Sequence, residues 1–265
     1  MIEKYLEWMR VRRCVHASIA SARRILFMWR GSGLSGPSLI DSVAQRMACG
    51  RWSNATAASY LSQLATYLRF CDALGYETEV PVKINQVEYV RRSIKRPTGP
   101  ARRSLSVEQF EHLLNTAYLS VARCSLSGEQ RAALYLFAAR TGLRASEIAS
   151  LRSSDFRRYQ GRWWVETPAG KSPPARLPLA AATYSVIWPT FLLKYATREF
   201  VFPVGKQAAR LLRRDLAAAG IPYKVNGRKF DFHALRVQMA CDLRDGWCPK
   251  RLIQIMLRHR TSRAT

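Results

Sequence analysis

Acidic residues are scarce in this chain. Its 265 residues include 18 Asp+Glu against 43 Lys+Arg, for a formal net charge of +25 and a pI near 10.7. A compact fold carrying that charge repels itself unless an anion meets it. Nucleic acid is the first candidate, and an anionic membrane surface the second. The basic residues run along the whole chain instead of forming a tail, which points to a folded protein with a long positive surface. Cysteine pairs are also lacking: the six cysteines, at 14, 49, 71, 124, 241 and 248, form no C-x-x-C and no Cys/His group with zinc spacing. A structural or catalytic metal is therefore not expected, and reduced thiols are the default in a chain this long. No apolar run has the length of a membrane-spanning helix, and no uninterrupted apolar stretch follows the charged N-terminus. The expectation is a cytoplasmic, nucleoid-associated protein without a membrane partner. Internal repeats and low-complexity tracts are missing too.

What is present suffices for real cores: 48% hydrophobic residues and 11% aromatics. The length fits one large domain or two ordinary ones. Residues 4–29 carry apolar positions near helical spacing, from Tyr5, Leu6 and Met9 to Trp29. A second helix is expected over about 38–47. Ser53 or Asn54 can cap a third, whose Ala58, Leu61, Leu64, Leu68 and Phe70 share a wide apolar face ended by Gly75. A shorter one follows over about 84–94. The string Arg96-Pro-Thr-Gly-Pro-Ala-Arg-Arg103 has no apolar pattern and reads as a linker. The predicted division is thus a helical domain over 1–96, a linker over 97–105 and a second domain over 106–265. In the second, Ser106 caps a helix, 131–139 is a buried helix stopped by Gly142, and another begins near Arg144. The period then changes. Residues 162–167 and 175–179 read as two strands around a turn, and helices resume near 181–195, 206–219, 233–244 and 249–257. The fold class is mainly α with a small antiparallel sheet.

Five side chains in the second half suit phosphate chemistry. Arg144 opens a helix after Thr141-Gly142, where backbone N–H groups and a guanidinium grip an anion together, and Glu147 stands one turn on to orient it. Taken alone, the pair is most simply a surface Arg–Glu contact. Lys171 lies in the hairpin turn. Its Ala-Gly-Lys-Ser setting resembles the end of a nucleotide-binding loop, but the first glycine of that pattern would fall on Val165, and Pro173-Pro174 follow where a helix is needed. ATP is excluded as a cofactor. His233 and Arg236 share one face at the start of a helix that Asp231 can cap. His259 follows an apolar helix, between Arg258 and Arg260. Each has a simpler reading by itself: Lys171 a solvated charge, His233 a residue packed at a helix start, Arg236 a salt-bridge partner, and His259 a surface residue at a basic helix end. Together they form a metal-free set that can neutralise phosphate oxygens and move protons.

At this point the chain resembles a known family, the tyrosine recombinases or phage integrases. The matching text is Thr-Gly-Leu-Arg-Ala-Ser-Glu-Ile (141–148), the hairpin with Lys171 and Arg-Leu-Pro-Leu (176–179), Phe-Val-Phe-Pro (200–203), His-Ala-Leu-Arg (233–236) and Ile-Gln-Ile-Met-Leu-Arg-His (253–259). The resemblance implies a helical, SAM-like core-binding domain ahead of an integrase-type catalytic domain. It implies a site-specific recombinase that cuts and rejoins duplex DNA through a 3′-phosphotyrosyl intermediate, with neither ATP nor metal. Arg144 and Arg236 would clamp the scissile phosphate, Lys171 would protonate the 5′ leaving oxygen, His233 would assist proton transfer, and His259 would hydrogen-bond a phosphate oxygen. Glu147 would support them. Arg91, Arg92, Arg102, Arg103, Lys206, Arg210, Arg213 and Arg214 are candidate DNA contacts. The family acts as a tetramer on DNA; a monomer is expected without it. A type IB topoisomerase shares the Arg-Lys-Arg-His logic, but the small helical first domain favours a recombinase. A DNA-binding protein that keeps the clamp and cuts nothing is the other alternative.

Two departures stand out. Arg258 sits where the family has a glycine, and it takes a positive-φ turn less cheaply, so the loop is expected to differ. The family's tyrosine falls shortly after the position of Thr265, so the chain as it stands is expected not to cleave. Tyr184, Tyr195 and Tyr223 lie in the wrong segments to replace it.

Overall fold

The computed structural model describes residues 1–32, 36–94, 102–167, 173–204 and 207–258, with backbone alone at Gly36 and Pro37. Lys171, Lys206, His259 and Thr265 lie outside the described residues. The chain is mainly helical with small antiparallel sheets. It divides into two compact units, Met1–Gly99 and Pro100–Thr265.

The first unit holds α1 (Ile2–Val11), α2 (His16–Arg30), α3 (Gly36–Ala48), α4 (Asn54–Ala73) and α5 (Ile84–Ser93). The single helix expected over 4–29 is two. Arg13 takes φ +53° and the Cys14 N–H turns back to the Met9 carbonyl, ending α1. Folding α2 back lets both apolar faces, with Tyr5 and Leu6 on one and Leu26 and Trp29 on the other, enter the same core. Helix α4 is the hub and touches the other four. Ser53 caps it by accepting the Thr56 N–H at 3.2 Å. Around Tyr5 the rings of Tyr67 and Phe70 stand edge-on at 5.6 and 5.2 Å, geometries that add to simple burial.

The second unit is built on α7 (Gly128–Thr141), which is buried on nearly every side. Such a helix shows little polar periodicity and needs neighbours all round. It has them: α6 (Val107–Leu119), α9 (Ala181–Ile187), α11 (Ala234–Asp245) and strand β3 (Ala175–Leu179). Ser106 and Ser127 open α6 and α7 with capping boxes closed by Gln109 and Gln130. The sheet runs β1 (Phe156–Tyr159), β2 (Arg162–Thr167), β3, antiparallel throughout, with Val165 opposite both Phe156 and Leu177. A second hairpin joins β4 (Lys224–Val225) to β5 (Arg228–Lys229). After α9 the chain widens into a π-helical turn over Trp188–Leu193. Pro189 lies inside it and has no N–H to continue the ordinary ladder. Helices α8 (Ala145–Ile148), α10 (Ala208–Ala218) and α12 (Lys250–Met256) complete the unit.

Two buried polar clusters fix the frame. Arg131 on α7, fully buried, donates to Asp215 on α10 at 2.9 Å and to the carbonyls of Val121 and Leu126 at 3.0 and 3.1 Å. The Tyr135 hydroxyl donates to the same Asp215 oxygen at 2.7 Å. On α11, Gln238 accepts the Leu105 N–H at 2.8 Å and donates to the Leu105 carbonyl at 3.1 Å.

Candidate anion-binding site

The site begins where α7 stops. Gly142 takes φ +62°, and its N–H closes the helix on the Ala138 carbonyl. Glycine is required here twice over. The φ is left-handed, and a Cβ would lie 2.6 Å from Met239 Sδ and 2.8 Å from Leu257 Cδ2. This close approach seats the end of α7 between α11 and the segment after α12. Leu143 is buried, so the next residue, Arg144, is delivered to the start of α8.

Glu147 reaches back one turn. Its carboxylate accepts the Arg144 N–H and an Arg144 guanidinium N–H, each at 2.9 Å. The same carboxylate accepts from Arg258 at 2.6 Å. Burial pushes this carboxyl up, but the Arg144 amide and the two guanidiniums outweigh it and hold it below the usual carboxylate range.

Arg236 comes from the first turn of α11 and is buried, at 4% exposure. One guanidinium nitrogen donates to the Gly142 carbonyl; the other, Nη2, is buried and has no hydrogen-bond partner. Burial, and then Arg144 and Arg258 beside it, pull its pKa down to about 10, against which Glu147 is the single opposing charge. Three guanidiniums and one carboxylate thus leave two positive charges in excess, with a buried donor facing no acceptor. A site of this kind is finished by an anion with several acceptor oxygens.

His233 stands at the mouth of α11. Asp231 accepts the Ala234 N–H at 3.1 Å, so it caps the helix as its position predicts. It is also gripped by Arg102 at 2.7 Å and Lys229 at 3.1 Å. Partial enclosure, then Arg102 and Arg236, push the His233 pKa down, so the neutral imidazole is favoured in the free protein.

The structure therefore brings together Arg144, Glu147, Arg236 and His233. Lys171 and His259 fall outside the described residues. Thr167 ends β2 at the base of the hairpin that carries Lys171, and Arg258 immediately precedes His259. Arg258 is the residue that sequence reasoning misjudged. It does adopt the glycine-like turn, at φ +52°, and its side chain is 3% exposed, bonded to Glu147 and to Thr167 Oγ1 at 3.1 Å. A charged residue standing in a glycine's place was the available signal.

The other candidate contacts are dispersed. Arg102 and Arg103 are engaged within the second unit, Arg102 with Asp231 and Arg103 with the Pro222 carbonyl. Arg91 pairs with Glu88, and Arg92 is exposed on α5. On the outer face of α10, Arg210 donates to Gln207 at 2.9 Å, Arg213 covers the Tyr223 ring, and Arg214 is exposed. The internal tyrosines are committed elsewhere. Tyr184 stacks on Trp163 at 3.6 Å and the Tyr195 hydroxyl accepts from Gln130 at 3.2 Å. Among the described residues no group of His, Cys, Asp or Glu could hold a metal, and no helix is long and apolar enough to cross a membrane.

Solved structures share the fold of this chain. The crystal structure of lambda integrase bound as a dimer to a core site is 16% identical, with a TM-score of 0.75, over 100% of this chain and 95% of that one. XerH site-specific recombinase bound to its difH substrate is 18% identical, with a TM-score of 0.65, over 88% of this chain and 66% of that one. A lambda integrase tetramer bound to a Holliday junction is 17% identical, with a TM-score of 0.72, over 98% and 76%. At these identities the likeness is one of fold. No curated protein sequence matches this chain. Residues 103–265 match the Phage integrase family, and the chain belongs to that family.

Proposed function

We propose that this protein is a site-specific DNA recombinase whose second unit grips the scissile phosphate of duplex DNA. The observation that carries this is Arg236: a buried guanidinium with an unpartnered Nη2, set beside Arg144 in a cluster with two uncompensated positive charges. A phosphodiester supplies the missing acceptors. Arg144 and Arg236 hold its non-bridging oxygens, and their charge is preorganised for the negative charge that grows in the transition state. His233, neutral in the free protein, accepts or relays a proton beside the attacking hydroxyl. Lys171 is assigned to protonating the 5′ leaving oxygen and His259 to hydrogen-bonding the phosphate. The attacking hydroxyl belongs to a tyrosine, and a 3′-phosphotyrosyl link conserves the bond energy for rejoining. The first unit is assigned to holding the duplex with its basic helices, Arg91 and Arg92 among them, and four protomers to assembling on DNA. Metal and nucleotide have no part in these steps.

Duplex binding followed by fluorescence anisotropy tests the first half. Affinity should fall steeply with salt as Lys and Arg release counterions from phosphates; a flat dependence would refute the charge argument. The second half is read from the protein expressed from its natural gene, incubated with nicked suicide duplexes. A covalent adduct lost in Arg144→Ala, while DNA binding is mostly kept, is the expected result. Binding without any adduct would instead mark a DNA-binding protein that retains the clamp, and relaxation of supercoils without sequence preference would mark a topoisomerase.

A further inference from the structure

We propose that Arg258 is a positioning residue of this site: the resident counter-ion that keeps Glu147 charged and in place when Arg144 turns from Glu147 toward a phosphate. The role of the phosphate rests on the recombinase reading; the latch itself does not.

Four observations carry the proposal. Arg258 holds φ +52°, a left-handed conformation that glycine takes more cheaply than a residue with a side chain, so something must offset it. Its guanidinium is almost wholly buried and makes the shorter of the two guanidinium contacts to Glu147, 2.6 Å against 2.9 Å from Arg144. The two arginines take different oxygens, Arg258 on Oε2 and Arg144 on Oε1, so Arg144 can leave without baring the carboxylate. Arg258 also donates to Thr167 Oγ1, and that hydroxyl in turn bridges the N–H and carbonyl of Ala175 across the base of the β2–β3 hairpin. One buried side chain therefore ties together the Arg144 turn, the root of the Lys171 hairpin and the residue before His259. Without it, Arg144 would be the only nearby guanidinium bonded to Glu147 and would be held there against any phosphate.

The charged groups facing Glu147 are Arg144 at the start of α8, Arg258 after α12 and Arg236 on α11, with His233 beyond Arg144 and Arg236. Removing Arg258 leaves a buried carboxylate with one cation fewer, which favours its protonated form. The test is a carbon-13 NMR titration of the Glu147 carboxyl in the full chain without DNA, assigned with Glu147→Gln. Arg258→Gly suits the turn and should fold. It should raise the Glu147 midpoint above wild type and above Arg144→Ala, with Arg258→Lys between the glycine variant and wild type. His233 is common to all and cancels in the comparison. An unchanged midpoint in Arg258→Gly, a larger rise in Arg144→Ala, or a lysine variant no better than glycine would overturn the proposal. Because DNA is absent, such a failure leaves the recombinase reading standing. Loss of DNA binding by the wild-type chain would sink that reading and leave the latch.

Discussion

Replacing Gly142 by alanine perturbs the tightest point of the site. The added methyl meets two objections. At φ +62° an L-residue loses about 1–2 kcal/mol relative to glycine. The methyl also enters space already filled, 2.6 Å from Met239 Sδ and 2.8 Å from Leu257 Cδ2, the ends of two buried side chains that must shift to admit it. Overpacking of that sort costs about 1–3 kcal/mol. Together the loss should be roughly 2–5 kcal/mol, and for a unit of this size each kcal/mol lowers Tm by about 2–4 °C. Thermal unfolding followed by circular dichroism should therefore show a fall of roughly 4–20 °C. Met239→Ala in the same chain should recover part of the packing component and none of the φ component. The Gly142 carbonyl accepts from Arg236, so the variant should also bind duplex DNA more weakly. A loss below about 1 kcal/mol would show that the turn relaxes freely, and would refute the claim that this contact fixes the arginine cluster.

Two further perturbations follow from buried charge. Asp215→Ala strands Arg131 in the core with no counter-ion and should cost about 3–5 kcal/mol in a denaturant melt, whereas replacing both by leucine and methionine should cost clearly less. For His233 the depressed folded pKa gives the sign: protonation is resisted in the free protein, so its contribution to stability is present above the unfolded value of about 6.5 and falls away as pH drops through the folded value. A phosphate placed beside it favours the imidazolium, so duplex affinity should rise as pH falls from 8 through about 6.5, and His233→Gln should flatten that rise in anisotropy titrations.

Local signals carried far in this chain where each residue's task is local. Ser53 and Ser106 announce their helices because a cap bonds three residues on, and Gly142 announces the end of α7 because left-handed φ favours it. The Arg144–Glu147 pair is legible for the same reason, one helical turn apart. Strand β1 is not legible: Phe156 alone is buried and Arg157, Arg158 and Tyr159 are exposed, so no alternation betrays it. The β4–β5 hairpin has only two residues a side, too short for a pattern, although Asn226-Gly227 at φ +47° and +78° is a recognisable turn pair. The break between α1 and α2 is hidden because no glycine or proline marks it, although the apolar face changes sides between Met9 and Ala22. Arg258 is the deepest miss. Its partner lies 111 residues away, and sequence spacing says nothing about a charge that is buried because a distant carboxylate meets it.

Gln238 has a consequence for how the protein comes into being. It fastens both backbone groups of Leu105 across 133 residues of chain. At ribosomal rates of about 5–20 residues per second, Leu105 is made roughly 7–27 s before the residue that will hold it. The first unit is complete by then and free to fold. Helix α7, by contrast, must wait with its apolar sides bare until α9 and α11 are synthesised. The second unit cannot grow outward from a finished core; it closes head to tail, after α9 and α11 have been made. That interval is when the nascent chain most needs protection from aggregation, and mutations that slow the closure should show first as lost soluble yield, before any change in the finished fold.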